Sequence, residues 1–315
     1  MKQRNIGKSE LLVSAVGLGC NNFGMRIDLE ASRAVVHQAL DLGITLFDTA
    51  DIYGYRGGSE IILGQVLGNE RRNVVLATKF GKPMNDAGTM KGASRAYIQS
   101  AVESSLRRLH TDWIDLYQLH EPDPATPIEE TLRALNDLVD QGKVRYIGCS
   151  NLPASQVIEA QLTAEKLGVQ AFISCQDEYS LLVRKIEREL VPAIEEHGLG
   201  LLPFFPLASG LLTGKYRRNE PAPRGTRMAE WKSIAERYWN DDNWSIVESL
   251  EKLCAERGHS LLELAFGWLL AKPTVSSVIA GATKPEQVRQ NVAAAFSPLS
   301  PEDLADIEQL LAETD

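Results

Sequence analysis

Short apolar runs alternate with longer amphipathic stretches almost from one end of this chain to the other. The short runs, 14–19, 44–48, 74–79, 113–119, 144–149, 169–175, 199–204 and 275–279, read as strands buried on both faces. The stretches between them carry apolar residues at helical spacing. Helices are predicted over 29–42, 59–67, 94–109, 127–140, 154–167, 187–197, 244–257, 260–271, 285–295 and 301–312. Asp28 and Ser59 read as amino-terminal caps, and Pro127 and Pro285 occupy first turns. In 59–67, Ile61, Ile62 and Val66 are expected to face inward. A hairpin over 4–13, turning at Gly7-Lys8-Ser9, precedes the first strand.

Eight strand–helix units with no linker-like break fit a closed (β/α)8 barrel, whose active site lies at the carboxyl rim of the strands. The expectation is one α/β barrel domain over 1–315, with an N-terminal hairpin and extra C-terminal helices. Residues 205–230, irregular and rich in Gly, Pro and Arg, are too long for an ordinary connection and read as a lid or binding loop. An apolar share of 44% and a charged share of 24% suit a globular chain with ample core. The formal net charge is −9 and no Lys/Arg run occurs, which sets nucleic acid aside as a partner. It also means that an anionic ligand would need a local cluster of cations. Cys20, Cys149, Cys175 and Cys254 have no metal or redox spacing and read as small buried hydrophobes. No long apolar segment opens the chain or runs to 18 residues, so a cytoplasmic protein without a membrane partner is expected.

Candidate chemistry gathers at three consecutive strand ends. Leu46-Phe47-Asp48 breaks into Thr49-Ala50-Asp51-Ile52-Tyr53, the next strand ends in Lys79, and the third ends in His120. In a parallel ring all carboxyl ends lie on one side, so Asp48, Tyr53, Lys79 and His120 should converge. Singly, each is an ordinary residue: a turn-forming aspartate, a half-buried tyrosine, a satisfied lysine, a structural histidine. Jointly they make a proton-transfer site. A tyrosine hydroxyl holds its proton at neutral pH. A nearby ammonium is expected to lower the pKa of Tyr53 and make it a usable acid, with Asp48 keeping Lys79 charged. His120 would position the same substrate oxygen. Such a set polarises a carbonyl and protonates its oxygen, but it supplies no hydride.

A dinucleotide could supply one. Gly17-Leu18-Gly19 lacks the third glycine of a Rossmann fingerprint, which excludes that route. Later strand ends offer Ser150, Asn151 and Gln176 for a carboxamide, and Phe204-Phe205 for ring stacking. Gly210, Gly214 and Lys215 lie in a glycine-containing turn that could approach a pyrophosphate. Gly281, Thr283 and Lys284 lie just before a helix whose amino end favours a phosphate.

With these motifs the chain resembles the aldo-keto reductase family of (β/α)8 carbonyl reductases, nearly end to end. The resemblance rests on the opening hairpin, Phe47-Asp48-Thr49-Ala50 with Tyr53-Gly54, Gly58-Ser59-Glu60, Ala77-Thr78-Lys79, Leu119-His120, Ile147-Gly148-Cys149-Ser150-Asn151, Gln176, the Leu207–Tyr216 segment, and Gly281-Ala282-Thr283-Lys284-Pro285-Glu286-Gln287 with Asn291. It implies a catalytic tetrad of Asp48, Tyr53, Lys79 and His120, with Tyr53 as proton donor. It also implies a nicotinamide site at Ser150, Asn151 and Gln176 with Phe204 stacked on the ring. Leu207, Ser209, Gly210 and Lys215 would lie along the pyrophosphate, and Gly281, Thr283, Lys284, Gln287 and Asn291 at the adenosine end. Lys284 points to NADP(H) rather than NAD. Relatives often have Ser where Phe205 stands and Asn where Asp177 stands. The expected activity is reversible NADPH-dependent reduction of an aldehyde or ketone. The alternative is an NADP-binding regulatory protein like the β subunits of potassium channels, which resemble the family but have the tetrad histidine replaced. Asn21, Asn22, Asp177 and Glu178 hint at a hydroxylated, sugar-like carbonyl. Trp231, Tyr238, Trp239 and Trp244 hint equally at a bulky ketone.

Overall fold

A computed structural model describes residues 1–313; the last two residues of the expected domain lie outside it. A short antiparallel hairpin, β1 (Gln3–Asn5) and β2 (Leu12–Ser14), comes first. Eight parallel strands follow: β3 (Val16–Gly19), β4 (Leu46–Asp48), β5 (Val75–Phe80), β6 (Ile114–Leu119), β7 (Val144–Ser150), β8 (Ser174–Gln176), β9 (Gly200–Leu201) and β10 (Val278–Gly281). They pair in the order β10-β3-β4-β5-β6-β7-β8-β9. Backbone bonds from Leu201 N to Thr274 O (2.7 Å), Ser276 N to Leu201 O (2.9 Å) and Ile279 N to Pro203 O (3.0 Å) close the ring. This is the expected (β/α)8 barrel.

Between strands run α1 (Leu29–Asp41), α2 (Tyr53–Leu67), α3 (Arg95–Leu109), α4 (Ile128–Asp140), α5 (Ala154–Leu167) and α6 (Leu190–His197). The long loop after β9 leads to α7 (Arg227–Glu230) and α8 (Lys232–Tyr238). The chain then continues through α9 (Asp241–Arg257), α10 (Leu261–Ala271), α11 (Pro285–Ala295) and α12 (Pro301–Ala312). Asp28 caps α1 by accepting from Ala31 N, as expected. Ser59 does not cap. Its buried hydroxyl donates to Cys20 O (2.8 Å) and pairs with Thr49, pinning the Tyr53 loop to the barrel. Ile61 is 42% exposed, because the inward stripe of α2 runs through Ser59, Ile62, Leu63, Val66 and Leu67. All four cysteines are buried and unbridged.

Two cores form. Strand residues facing outward, such as Phe47, Leu76 and Tyr117, pack with the helices. Those facing the axis, Leu46, Ala77, Leu116, Leu202 and Ile279, form a separate cluster with Ile6, Leu11 and Val13 of the hairpin. The hairpin therefore plugs the amino end of the barrel. Side chains alternate along a strand, so residues two positions beyond these axial ones also point inward, at the carboxyl end.

Candidate active site

That alternation places the polar set. Asp48 follows Leu46 by two, Lys79 follows Ala77 by two, and Gln118 and His120 follow Leu116 by two and four. They form a polar layer above the apolar one. Lys79, fully buried, donates to Asp48 Oδ2 at 2.6 Å and to Thr49 O at 2.8 Å. Asp48 Oδ1 accepts from Gln118 Nε2 (3.2 Å) and Gln176 Nε2 (2.9 Å), so all these polar atoms are satisfied around one carboxylate. The Tyr53 ring stands edge-to-face with His120 at 5.7 Å, and Lys79 Nζ lies 5.1 Å from its centroid.

Tyr53 begins α2, and the backbone behind it is left-handed: Gly54, Tyr55 and Arg56 have φ of 67°, 59° and 71°. Three such residues in succession are costly for L-residues other than glycine. Here the turn is held by a bond from Arg56 N to Ile52 O (3.0 Å) and by the Arg56–Asp86 ion pair at 2.5 Å. A Cβ at Gly54 would lie 2.5 Å from Ser59 N and 2.6 Å from Phe23 O, so only glycine fits.

Burial raises the pKa of Tyr53 above 10, and the charge of Lys79 only partly opposes it. The expected net lowering is therefore not found: the phenol is a firmly protonated acid. Burial also works against the Lys79 ammonium, but Asp48 and Tyr53 together outweigh it and raise its pKa. The imidazole of His120 is held well below 6.5 by burial, then by Lys79 and Lys82, and is neutral.

A cavity of about 950 Å³ opens over this layer. Asp48, Tyr53 and His120 line one end, with Lys79 behind them. Ser150, Asn151, Gln176, Phe204, Leu207, Ser209, Gly210, Lys215, Gly281, Thr283, Lys284, Gln287 and Asn291 all line it too. Several of these amide groups are already engaged. Ser150 Oγ donates to Gln176 O (2.8 Å), and Asn151 Nδ2 donates to His120 O (3.0 Å) and to Ser150 Oγ (2.9 Å). With their nitrogens spent, Asn151 and Gln176 have carbonyl oxygens left to offer. Gln287 Oε1 accepts from Thr283 N (2.7 Å) and fixes the turn before α11.

Around Asp48 and in the cavity lie groups that the sequence reading missed. Gln118 shares the inward parity of Leu116 and His120, and that parity could have found it. Arg26, Lys82, Arg224 and Arg227 line the cavity as well. Arg227 donates to Asn22 Oδ1 (3.0 Å) and Asn21 Oδ1 (3.3 Å), and it has no carboxylate partner among the described residues. Its pKa is pushed down to about 10 by burial and by Arg26. A desolvated cation without an anion is a ready receptor for one. The arginine content of 205–230 was the available signal. Arg26 in turn bonds Gly225 O (2.9 Å) and Glu230 (3.2 Å), strapping this loop across the mouth.

Most residues behind the substrate hints lie away from the cavity. Glu178 is taken up by Arg237 and Tyr238 of α8. Asp177, Glu178, Trp231, Tyr238, Trp239 and Trp244 do not line the cavity, and Tyr238 and Trp244 are core residues. Asn21 and Asn22 do line it, but their side-chain oxygens accept from Arg227.

A sequence model of the aldo/keto reductase family matches residues 15–312. The chain belongs to the aldo/keto reductase family. One relative in this family, from Oryza sativa subsp. japonica and named "Probable voltage-gated potassium channel subunit beta", is 39% identical over 99% of this chain and 97% of its own. An uncharacterized oxidoreductase of Bacillus subtilis (strain 168) is 38% identical over 93% and 91%. The L-glyceraldehyde 3-phosphate reductase of Escherichia coli O157:H7 is 34% identical over 99% and 93%.

Proposed function

We propose that this aldo/keto reductase chain catalyses the reversible, NADPH-dependent reduction of an aldehyde or ketone. The observation that carries the reading is a protonated phenol, Tyr53, open to the cavity and backed by the buried Lys79–Asp48 pair, with a neutral imidazole edge-on to it. The residues present fit a nicotinamide dinucleotide. Asn151 and Gln176 have carbonyls to offer a carboxamide, and Phe204 has a face to offer its ring. Lys215 and Arg227 suit the pyrophosphate. Lys284, at the amino end of α11, suits a 2′-phosphate and favours NADP(H). When bound, the dinucleotide supplies the hydride.

The chain's own groups do the rest. Tyr53 donates a hydrogen bond to the substrate oxygen and gives up its proton as charge develops there. Lys79 stabilises the phenolate left behind, and Asp48 holds Lys79 in place. His120 Nδ1 is buried without a partner, so Nε2 is the nitrogen left to meet the same oxygen. A neutral ring serves best with its proton there. The substrate is a small carbonyl compound; one relative named for such a substrate reduces L-glyceraldehyde 3-phosphate.

Oxidation of NADPH by a carbonyl panel tests the reading. Tyr53→Phe is expected to lose roughly 10²- to 10⁴-fold in kcat while still binding NADPH. Full activity in that variant would remove Tyr53 from the role. The channel-subunit name of the rice relative supports a second reading, an NADP-binding regulator with little turnover. His120 weighs against it, and absence of turnover with every carbonyl, despite tight NADPH binding, would favour it.

A further inference from the structure

Lys82 has no part in the proton transfer or the dinucleotide binding set out above. It lies two residues past β5, and its side chain lines the cavity with Tyr53 and His120. Its charge reaches the His120 ring. In the ring of eight strands β5 stands opposite β9, so the loops that carry Lys82 and Lys215 leave the barrel from opposite strands. The cations suited to the dinucleotide phosphates, Lys215, Arg227 and Lys284, all follow β9 or β10. One carboxylate, Glu121, approaches Lys82 to 3.6 Å, and the two side chains remain 36% and 41% exposed. Such a pair is weak and gives way to a better-placed anion. Asp48 is the one carboxylate among the described residues lining the cavity, and Lys79 neutralises it. An ammonium held only by a weak, exposed pair therefore lines the same cavity as Tyr53 and His120, in a chain of net charge −9.

We propose that Lys82 determines specificity by receiving an anionic group, phosphate or carboxylate, carried by the substrate beyond its carbonyl. The inference rests on the reductase reading and narrows its substrate class to short aldehydes or ketones bearing such a group. An ammonium on a flexible stem acts as a point charge and suits either anion.

Matched carbonyls test it, with the full chain and NADPH: glyceraldehyde against glyceraldehyde 3-phosphate, and butanal against succinic semialdehyde. The expected kcat/KM favours a charged member by about tenfold or more at low salt, the size of one charge-assisted contact. The preference shrinks in about 1 M salt. Lys82→Met brings the ratio toward one, Lys82→Arg keeps it, and Glu121→Gln, which removes the competing carboxylate, increases it. A preference in the first pair alone assigns phosphate, and in the second alone carboxylate. Equal turnover of charged and neutral members, or a preference that survives Lys82→Met, overturns the proposal and leaves the reductase reading standing. If no carbonyl oxidises NADPH, the reductase reading fails and this proposal falls with it.

Discussion

Tyr53 and His120 face each other, and burial acts on both to suppress charge: it lifts the phenol above 10 and, with Lys79 and Lys82, drops the imidazole well below 6.5. Both are neutral between those limits. The kcat/KM for carbonyl reduction is therefore expected to stay flat from about pH 7 to 9, while alcohol oxidation, which needs the phenolate, rises over the same range. An inflection near 6.5 in the reduction profile would show His120 titrating freely. Asp177 acts on stability instead. Burial pushes its pKa up to about 7, against the charge of Lys185. The folded chain then binds a proton that the unfolded chain releases near its ordinary value of about 3.9. The contribution of Asp177 is complete below that value and is lost as pH rises through about 7. Asp177→Asn should raise Tm at pH 8 and change it little at pH 4. The same Tm gap at both pH values would refute this account.

At the scale of elements, the strap after β9 carries the cation best suited to a bound phosphate. Arg227→Ala is expected to weaken NADPH binding about tenfold or more, as judged by fluorescence titration, because a desolvated charge-assisted contact is lost. An unchanged Kd would place Arg227 outside the dinucleotide site. Where local signals are dense, the sequence reading matched the structure: α5 spans Ala154–Leu167 as predicted, ahead of the helix-ending Gly168. It faltered where tertiary contacts decide. The strand expected over 199–204 is regular only over Gly200–Leu201: Pro203 has no N–H for the ladder, and the chain turns at Phe205, whose φ is 51°. Glu178 reads as a rim acid, yet it is spent on anchoring α8. The convergence of Asp48, Lys79 and His120 was legible because each closes an apolar run and the carboxyl ends of parallel strands lie on one side. The reach of Arg227 to Asn21 and Asn22, some 200 residues away along the chain, was not.

For the whole molecule, the count of strand–helix units could be read from periodicity and implied a closed barrel, whereas the bonds that close it could not be named. Closure depends on backbone bonds such as Leu201 N to Thr274 O, which carry no side-chain signature. The hairpin plug shares this dependence on distant chain. Arg4 donates to Val275 O at 2.8 Å and to Leu270 O at 2.6 Å, across sequence separations of 271 and 266 residues. Replacing it with Met should cost about 2 kcal/mol and lower Tm, since two charge-assisted bonds to carbonyls are lost. A Tm unchanged from wild type would show that apolar packing alone seats the hairpin. The geography of these bonds also orders folding in time. The cork lies at one end of the chain and the neck it fits is completed near the other, so the Arg4 bonds that lock it can form only after residues 270 and 275 are in place. A nascent chain halted before residue 270 would thus hold Ile6, Leu11 and Val13 against Leu46, Ala77, Leu116 and Leu202 alone, without the cover of Ile279 or the two Arg4 bonds.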